Sequence, residues 1–175
     1  SGWFKDTDML RWYNFTQHDT QQKMMQSYEN WFITSTSITL IKGTENYAMP
    51  LDSLKINRIE NVEVSAAPIR CTPITLNEKD SNNAFLYNRI NREGDVRFYV
   101  IKGQSFIFRP VPSRDLDNAI KVWYTKRLAE ATAGTDVSEI PAEYHEILTW
   151  GVVKKALIVQ ESTPEAMAIA VGEYN

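Results

Sequence analysis

The sequence predicts an α+β fold in which terminal helices pack together and an antiparallel β-unit, a small sheet or barrel-like, is inserted between them. The apolar pattern changes from helical spacing to strand alternation at Ile33 and returns to helical spacing after Pro141. Strands and helices do not alternate regularly between these points, as a parallel sheet would require. We therefore predict a single domain over residues 1–175, with an N-terminal helical part at 1–32, a β-rich insertion at 33–127 and C-terminal helices at 139–175.

The first half of the chain contains a helical segment followed by several extended segments. Aromatic and apolar side chains recur at helical intervals between Asp6 and Phe32, which predicts one or two helices. The segment ITSTSITL alternates Ile38 and Leu40 with threonines and predicts a strand. Extended segments follow in KINRIENVEVS and IRCTPITL, whereas NEKDSNNAFLYNRI fits either a short helix or an ordered loop.

The clearest hairpin lies in VRFYVIKGQSFIFRP, where two β-branched and aromatic runs flank Lys102, Gly103 and Gln104. Gly103 can adopt the positive φ of a tight turn. Pro110 and Pro112 end the second strand because proline cannot donate a ladder hydrogen bond. This segment therefore predicts two antiparallel neighbours.

Alternation in two segments predicts sheets with one buried face and one solvent face. In VRFYV, Phe98 and Val100 share one side of the strand, and Arg97 and Tyr99 share the other. The segment NAIKVWYTKRL predicts a further strand whose core side carries Ile120, Val122 and Tyr124 and whose outer side carries Lys121, Trp123 and Thr125.

The C-terminal part predicts two helices. Pro141 suits the first position of a helix reaching about Glu161, because no intrahelical bond is lost there. Gly151 costs about 1 kcal/mol against alanine in a helix interior, which favours a close approach by another helix or chain. A second helix begins at Ser162 or Thr163. The apolar face of the first helix is broad and carries Tyr144, Leu148, Val152, Ala156 and Val159 at successive turns.

Composition excludes several classes of function. The net charge of −3 and the pI near 5.5, without a basic cluster, argue against a surface that binds DNA stably. Cys71 is the single cysteine, so an internal disulfide and a cysteine zinc cluster are excluded. No apolar run approaches the roughly 18–20 residues of a membrane span, so we expect no membrane partner.

The segment EIPAEYHEILTW places His145 between Glu143 and Glu146 and resembles an acid/base or metal site. On a helix, however, His145 points roughly 100° from Glu146 and 200° from Glu143, so the three side chains do not converge. A zinc helix would need a second histidine four residues away. The glutamates instead complement the positive end of the helix dipole.

The remaining chemistry-bearing residues also favour structural roles. His18 lies beside Asp19 without a nucleophile in a strained, glycine-flanked turn, which predicts a solvated helix face. Cys71 is expected to be a small buried side chain. No glycine-rich phosphate loop is present. We therefore predict no catalytic, cofactor-binding or metal-binding residue, and a protein that is not an enzyme.

Aromatic residues are abundant, with five Trp, eight Tyr and seven Phe. Aromatic side chains are enriched at protein interfaces, so the composition favours an assembly component. An alternative is a single-stranded nucleic-acid-binding module that stacks bases on Trp123 and Tyr124 beside Lys and Arg side chains. Steeply salt-dependent binding would distinguish this alternative.

Four segments, in order along the chain, resemble the head-to-tail adaptor, or connector, proteins of tailed bacteriophages. The resemblance covers roughly residues 32–160 and resides in YAMPLD, GDVRFY, FRPVPS and IPAEYHEILTWGVVKKAL. Met49 replaces the leucine usual in that family, and Val96 stands where proline is frequent. Neither departure removes a side chain that the motifs need.

The resemblance implies a non-enzymatic structural protein of the virion neck, assembled in the host cytoplasm. Its expected partners are the portal protein, tail or nozzle proteins, and further copies of itself in a ring, a homododecamer. The ring would extend the DNA channel, through which DNA passes without specific binding. A tail or baseplate subunit is an alternative. We expect subunit or partner contacts at Trp150, Val153, Ile158 and Tyr174.

Overall fold

The computed structural model describes residues 5–28, 30–63, 66–79 and 93–159. It combines helices with several antiparallel sheets, which confirms the predicted α+β class. The sheets of the described residues are open, and none closes into a barrel. The chain divides into two compact units, a helical unit (1–32 with 127–175) and a β unit (33–126). The single domain over 1–175 stays a prediction.

The described helices begin and end close to the predicted positions. A single helix, not two, occupies the N-terminal part, and a 3₁₀ turn at Ala142–Tyr144 follows Pro141 directly. The helix predicted from Ser162 and most of the segment 77–90 lie outside the described residues. The helices are α1 (Asp6–Ser27), α2 (Leu76–Lys79) and α3 (His145–Val159).

The strands confirm the predicted extended segments. They are β1 (Ile33–Leu40), β2 (Asn46–Ala48), β3 (Ser53–Asn61), β4 (Ile69–Arg70), β5 (Thr72–Pro73), β6 (Glu93–Gly94), β7 (Phe98–Lys102), β8 (Ser105–Arg109), β9 (Val111–Pro112) and β10 (Leu116–Lys126). They form sheet A, in the order β1-β10-β3-β4, sheet B, in the order β2-β8-β7-β5, and the parallel pair β6-β9.

Sheet A is built on β10, the longest strand, which pairs antiparallel with β1 on one side and β3 on the other. Ile120 lies opposite Ile38 of β1, and Val122 lies opposite Ile59 of β3. Ile120, Val122 and Ile59 are buried, as their alternation predicts. The central position of β10 therefore aligns the buried side chains of three strands on one face.

The predicted hairpin is confirmed as β7 and β8 of sheet B. Its turn contains Gly103, which has φ +59° and thus a conformation that favours glycine. The predicted solvent face of β7 is wrong, however, because Tyr99 and Val100 are both buried. In β8, Phe106 and Ile107 are likewise both buried. Since both faces of this hairpin are covered, alternation of side chains no longer distinguishes inside from outside.

The core of the β unit is aromatic. Phe106 and Phe108 stack with ring centroids 5.7 Å apart, and Tyr47 contacts Phe108 with centroids 5.2 Å apart. The Tyr47 hydroxyl accepts a hydrogen bond from the backbone N–H of Ile41, which satisfies the polar end of a buried ring. Other members of this cluster are Leu40, Ile59, Cys71, Val96, Tyr99, Ala119, Ile120, Val122 and Tyr124.

The helical unit depends on a polar contact that the sequence did not predict. The apolar spacing suggested a hydrophobic stripe on α1, yet four of its five buried residues are polar: Thr16, Gln17, Thr20 and Gln21, beside Met24. Amide side chains of α1 bind the backbone of the extended segment after β10, which we call the clamped segment (128–131).

The side-chain amides of α1 form hydrogen bonds with N–H and C=O groups of the clamped segment, in the way that the backbone of a neighbouring strand would. Asn14 both donates to the carbonyl of Ala131 (2.9 Å) and accepts from its N–H (2.7 Å). Gln17 donates to the carbonyl of Ala129 (2.8 Å), and Gln21 accepts from the N–H of Leu128. Positions 14, 17 and 21 share one side of a helix, because they are three and four residues apart.

A small apolar cluster completes the helical unit. It contains Met24, Phe32, Leu128, Ile140 and Leu148, with Tyr13, Met25 and Tyr144 packed against it. Tyr144 and Leu148 are the residues that the sequence placed on the apolar side of the C-terminal helix. The cluster shows why α3 begins where it does, since Ile140 is held in the core directly before Pro141.

We expect Gln17→Met to destabilise the helical unit by about 2–3 kcal/mol. The substitution conserves side-chain length but leaves the carbonyl of Ala129 and the hydroxyl of Ser138, which donates to Gln17 Oε1 (2.7 Å), without their partner beside a buried side chain. Urea unfolding measures the loss. The matched control is Gln22→Met on the exposed side of the same helix, and equal stabilities of the two variants would contradict the clamp.

Candidate assembly surface

Helix α3 has more apolar side chains than the described part of the chain covers. Apolar residues occupy most positions of HEILTWGVVKKALIV, but only Leu148 and Gly151 are buried. Ile158 and Val159 remain 51% and 59% exposed. A helix that is apolar on all sides is normally surrounded by protein, whereas the described residues leave part of the apolar surface of α3 uncovered.

One side of α3 packs against α1 within the helical unit. Buried Gly151 lacks a side chain on this side. Lys155 extends over the ring of Phe15, with Nζ 3.6 Å from the ring centroid. Burial lowers the pKa of Lys155, the neighbouring Lys154 lowers it further, and the carboxylate of Asp19 opposes both effects. The contact is a cation–π pair that still leaves Phe15 62% exposed.

Another side of α3 carries an apolar stripe that we call the outer stripe: Trp150, Val153 and Leu157. These residues recur at i, i+3 and i+7 and lie roughly 180° from Leu148 around the helix axis. All three are half-buried. Val153, at the margin of the stripe, also lines an open groove with Met9 and Tyr13 of α1. The sequence named Trp150 and Val153 as contact residues, and helical spacing places Leu157 on the same side of the helix.

Ile158, the third predicted contact residue, does not belong to the outer stripe. Ile158 lines an open groove of 370 Å³ between the two helices, with Arg11, Trp12, Phe15, Lys155 and Val159. Tyr174 lies outside the described residues. The structure thus brings Trp150 and Val153 together on one side of α3 and places Ile158 nearer to α1. Their role as contacts stays a prediction.

His145 forms part of the helix start. Its Nε2 lies 2.7 Å from the carbonyl oxygen of Ile140, so the ring N–H donates to the turn that precedes α3. Glu143 and Glu146 are exposed and make no described hydrogen bond with this ring. The three side chains do not converge. Among the described residues, no group of three or more His, Cys, Asp or Glu side chains is placed to hold a metal ion.

The contacts of His18 and Cys71 are typical of structural residues. His18 Nε2 lies 3.8 Å from a carboxylate oxygen of Glu130, while its sequence neighbour Asp19 pairs with Lys23 at 3.9 Å. Cys71 is buried in the β unit, and burial raises the pKa of its thiol to about 12. A thiol in this state is a poor nucleophile at neutral pH.

The structure does not place Trp123 and Tyr124 on one common face, as a base-stacking platform would require. Trp123 and Tyr124 are adjacent in β10 and point to opposite faces of sheet A. The Trp123 ring lies within cation–π distance of Lys121 and Arg58, and its Nε1–H donates to Glu60 (2.8 Å). Tyr124 is buried, with its hydroxyl 3.3 Å from Asp52. The geometry therefore disfavours the nucleic-acid-binding alternative.

Comparison with known proteins agrees with the resemblance seen in the sequence. The model of a protein family described as SU10 adaptor protein matches residues 3–175, nearly the whole chain. A search of curated proteins finds no match to the chain. No helix within the described residues is long and apolar enough to cross a membrane.

We expect the Cys71 thiol to make stability sensitive to alkaline pH. Its pKa in the folded protein, about 12, exceeds the ordinary value of 9.0. The folded state is therefore favoured below pH 9, and this contribution is lost as the pH rises from 9 towards 12, at about 1.4 kcal/mol per unit.

The measurement is urea unfolding of the wild type and Cys71→Ala at pH 7.5, 9 and 10.5. The wild type should lose stability relative to the variant as the pH rises. Burial also raises the pKa values of Tyr47 and Tyr124, and these residues are present in both proteins and cancel in the difference. Burial raises the pKa of Tyr99 as well, but Cys71 adds to that rise, so the part of it that the variant loses changes the difference in the same direction. A difference that does not change with pH would contradict the prediction.

Proposed function

Since the chain belongs to the SU10 adaptor protein family and is a bacteriophage structural protein, we propose that it forms a ring in the virion neck. The ring joins the portal of the head to the tail and extends the DNA channel. The protein acts through surfaces rather than through chemistry, without catalytic, cofactor-binding or metal-binding residues. Its partners are the portal protein, tail or nozzle proteins and other copies of the chain, twelve in the complete ring.

The observation that carries this proposal is the incompletely covered apolar helix α3. Burying a large apolar side chain is worth about 1.5–3 kcal/mol, so covering the outer stripe of Trp150, Val153 and Leu157 would favour association. A ring requires heterologous contacts, in which one surface of a subunit meets a different surface of the next. The groove lined by Phe15 and Ile158 supplies a second apolar surface of the helical unit.

The charge of the chain supports passage of DNA without binding. Nineteen basic and 22 acidic residues give a net charge of −3. Several described basic side chains are already paired within the chain: Arg109 with Glu45, Arg58 with Glu60 and Arg114 with Asp95. Phosphate contacts dominate affinity for DNA, and a channel through which DNA moves must keep such contacts weak.

The proposal predicts that the purified chain assembles on its cognate portal. We expect native mass spectrometry and electron microscopy of the mixture to show a ring of twelve copies docked on the portal ring. Tail proteins alone are the comparison sample. Binding to tail or baseplate proteins but not to the portal would support a tail or baseplate subunit and contradict the proposed function.

Val153→Asp should reduce the portal-bound ring by more than about tenfold, because covering the outer stripe would bury a carboxylate without a partner. Folding should be retained, since Val153 is only half-buried in the single chain. The matched control is Val137→Asp, the same substitution at a side chain that is 83% exposed in a loop. Equal assembly of the two variants, measured by native mass spectrometry, would exclude the outer stripe as the ring contact.

A further inference from the structure

Sheet A has an outer face, on the side opposite to the aromatic core of the β unit. Val122 of β10 and Ile59 of β3 lie opposite each other, are buried and belong to that core. Successive residues of a strand point to opposite faces of the sheet. The residues on either side of this buried pair therefore point outwards: Lys121 and Trp123 in β10, and Arg58 and Glu60 in β3.

Three basic side chains meet on this outer face. Lys121 lies opposite Glu60, and Glu60 lies opposite Arg70 of β4. Arg58 lies opposite Trp123. Side chains at opposite positions of antiparallel strands share a face and lie about 5 Å apart. We call this group of residues the basic face. Its cations come from three different strands, so the sequence shows no basic cluster and only the sheet register assembles one.

The single carboxylate of the basic face does not balance its three cations. Glu60 accepts a hydrogen bond from Nε1–H of Trp123 (2.8 Å) and pairs with Arg58 (3.2 Å). Among the described residues, neither Arg70 nor Lys121 forms an ion pair with a carboxylate. The basic face therefore keeps two uncompensated positive charges, in a chain whose net charge is −3.

Trp123 holds two of the cations in place. Lys121 Nζ lies 4.3 Å from the centroid of the Trp123 ring, and Cζ of Arg58 lies 5.5 Å from it. A cation–π contact positions a cation without neutralising its charge. The positive charges are consequently fixed to the sheet rather than carried on freely moving side chains.

The neighbouring residues of β1 add neutral hydrogen-bond donors. Ser37 lies opposite Lys121, and Ser35 lies opposite Trp123. Both serines are exposed. Lys, Arg and Ser side chains are groups that contact phosphate oxygens in protein–DNA complexes. None of the large apolar side chains that are exposed lies at these positions, whereas the centre of a protein–protein interface is apolar. The chemistry of this face fits a phosphate backbone better than a protein surface.

We infer that the basic face is the surface of each subunit that meets the phosphate backbone of DNA in the channel. This inference rests on the proposed ring, whose channel presents some surface of every subunit to the DNA. Contacts of Lys and Arg with phosphates depend on charge and not on base sequence. Two uncompensated charges make each contact weak, so one phosphate is readily exchanged for the next as the DNA moves.

The salt dependence of duplex binding tests the basic face in the free chain. Each phosphate contact adds about 0.9 to the exponent with which the binding constant falls as salt rises. Fluorescence anisotropy of a labelled duplex at low salt should give an exponent of about 2 for the wild type, and Arg70→Gln and Lys121→Gln should each lower it by about 0.9. The matched control is Lys102→Gln, at an exposed position of β7 in sheet B, which should keep the wild-type exponent. An equal loss in the control, or no binding of the wild type at low salt, would overturn the inference.

The indole resonance of Trp123 locates the contact without any variant. Its Nε1–H group lies within the basic face, so its NMR signal should shift when the duplex is added to the wild-type chain and return when salt is raised. A signal that stays unchanged while the duplex binds would place the contact elsewhere and overturn the inference.

Photo-crosslinking in assembled particles separates this inference from the proposed function. A photoreactive p-benzoylphenylalanine in place of Ser37 should crosslink to DNA in DNA-filled heads, whereas the same group in place of Lys102 should not. Crosslinks from position 37 to a portal, tail or neighbouring subunit would overturn the inference and indicate an acidic protein partner. A chain that never joins the portal contradicts the proposed ring as well, whereas a normal ring without crosslinks to DNA contradicts only the role of the basic face.

Discussion

The β unit depends on the central position of β10. This strand bonds to β1 on one side and to β3 on the other, and its inward side chains Ala119, Ile120, Val122 and Tyr124 are buried. Because β10 takes the middle place, β1 and the first part of β3 become edges. The same hydrogen-bond ladder therefore determines which backbone groups of β1 have no strand partner among the described residues.

The helical unit achieves its packing by a different means. Polar amides of α1 bind the backbone of the clamped segment, so this face of the helix is buried without being apolar. The clamp pairs the amides with backbone groups of the clamped segment, including the N–H of buried Leu128. Within the described residues, the apolar side chains of α3 are consequently not all buried, and those of the outer stripe stay half-buried.

The apparent site around His145 shows how secondary structure changes the meaning of a local sequence. Three titratable residues in four positions resemble an acid/base cluster when they are written in a line. On the helix they diverge, and His145 instead bonds to the carbonyl of Ile140 before α3. The informative residues of this segment are the helix-starting Pro141 and the core residues Tyr144 and Leu148.

The sequence by itself determined the α+β class, the hairpin at Gly103 and the strand of Ile120, Val122 and Tyr124, because these features follow from local periodicity and turn chemistry. The contact roles that it named for Trp150, Val153, Ile158 and Tyr174 stay predictions. Tertiary structure alone decided that Gln17 would be buried, that Tyr99 and Val100 would both be buried and that β1 would be an edge. These outcomes depend on which distant segments cover a residue, and local spacing carries no information about that.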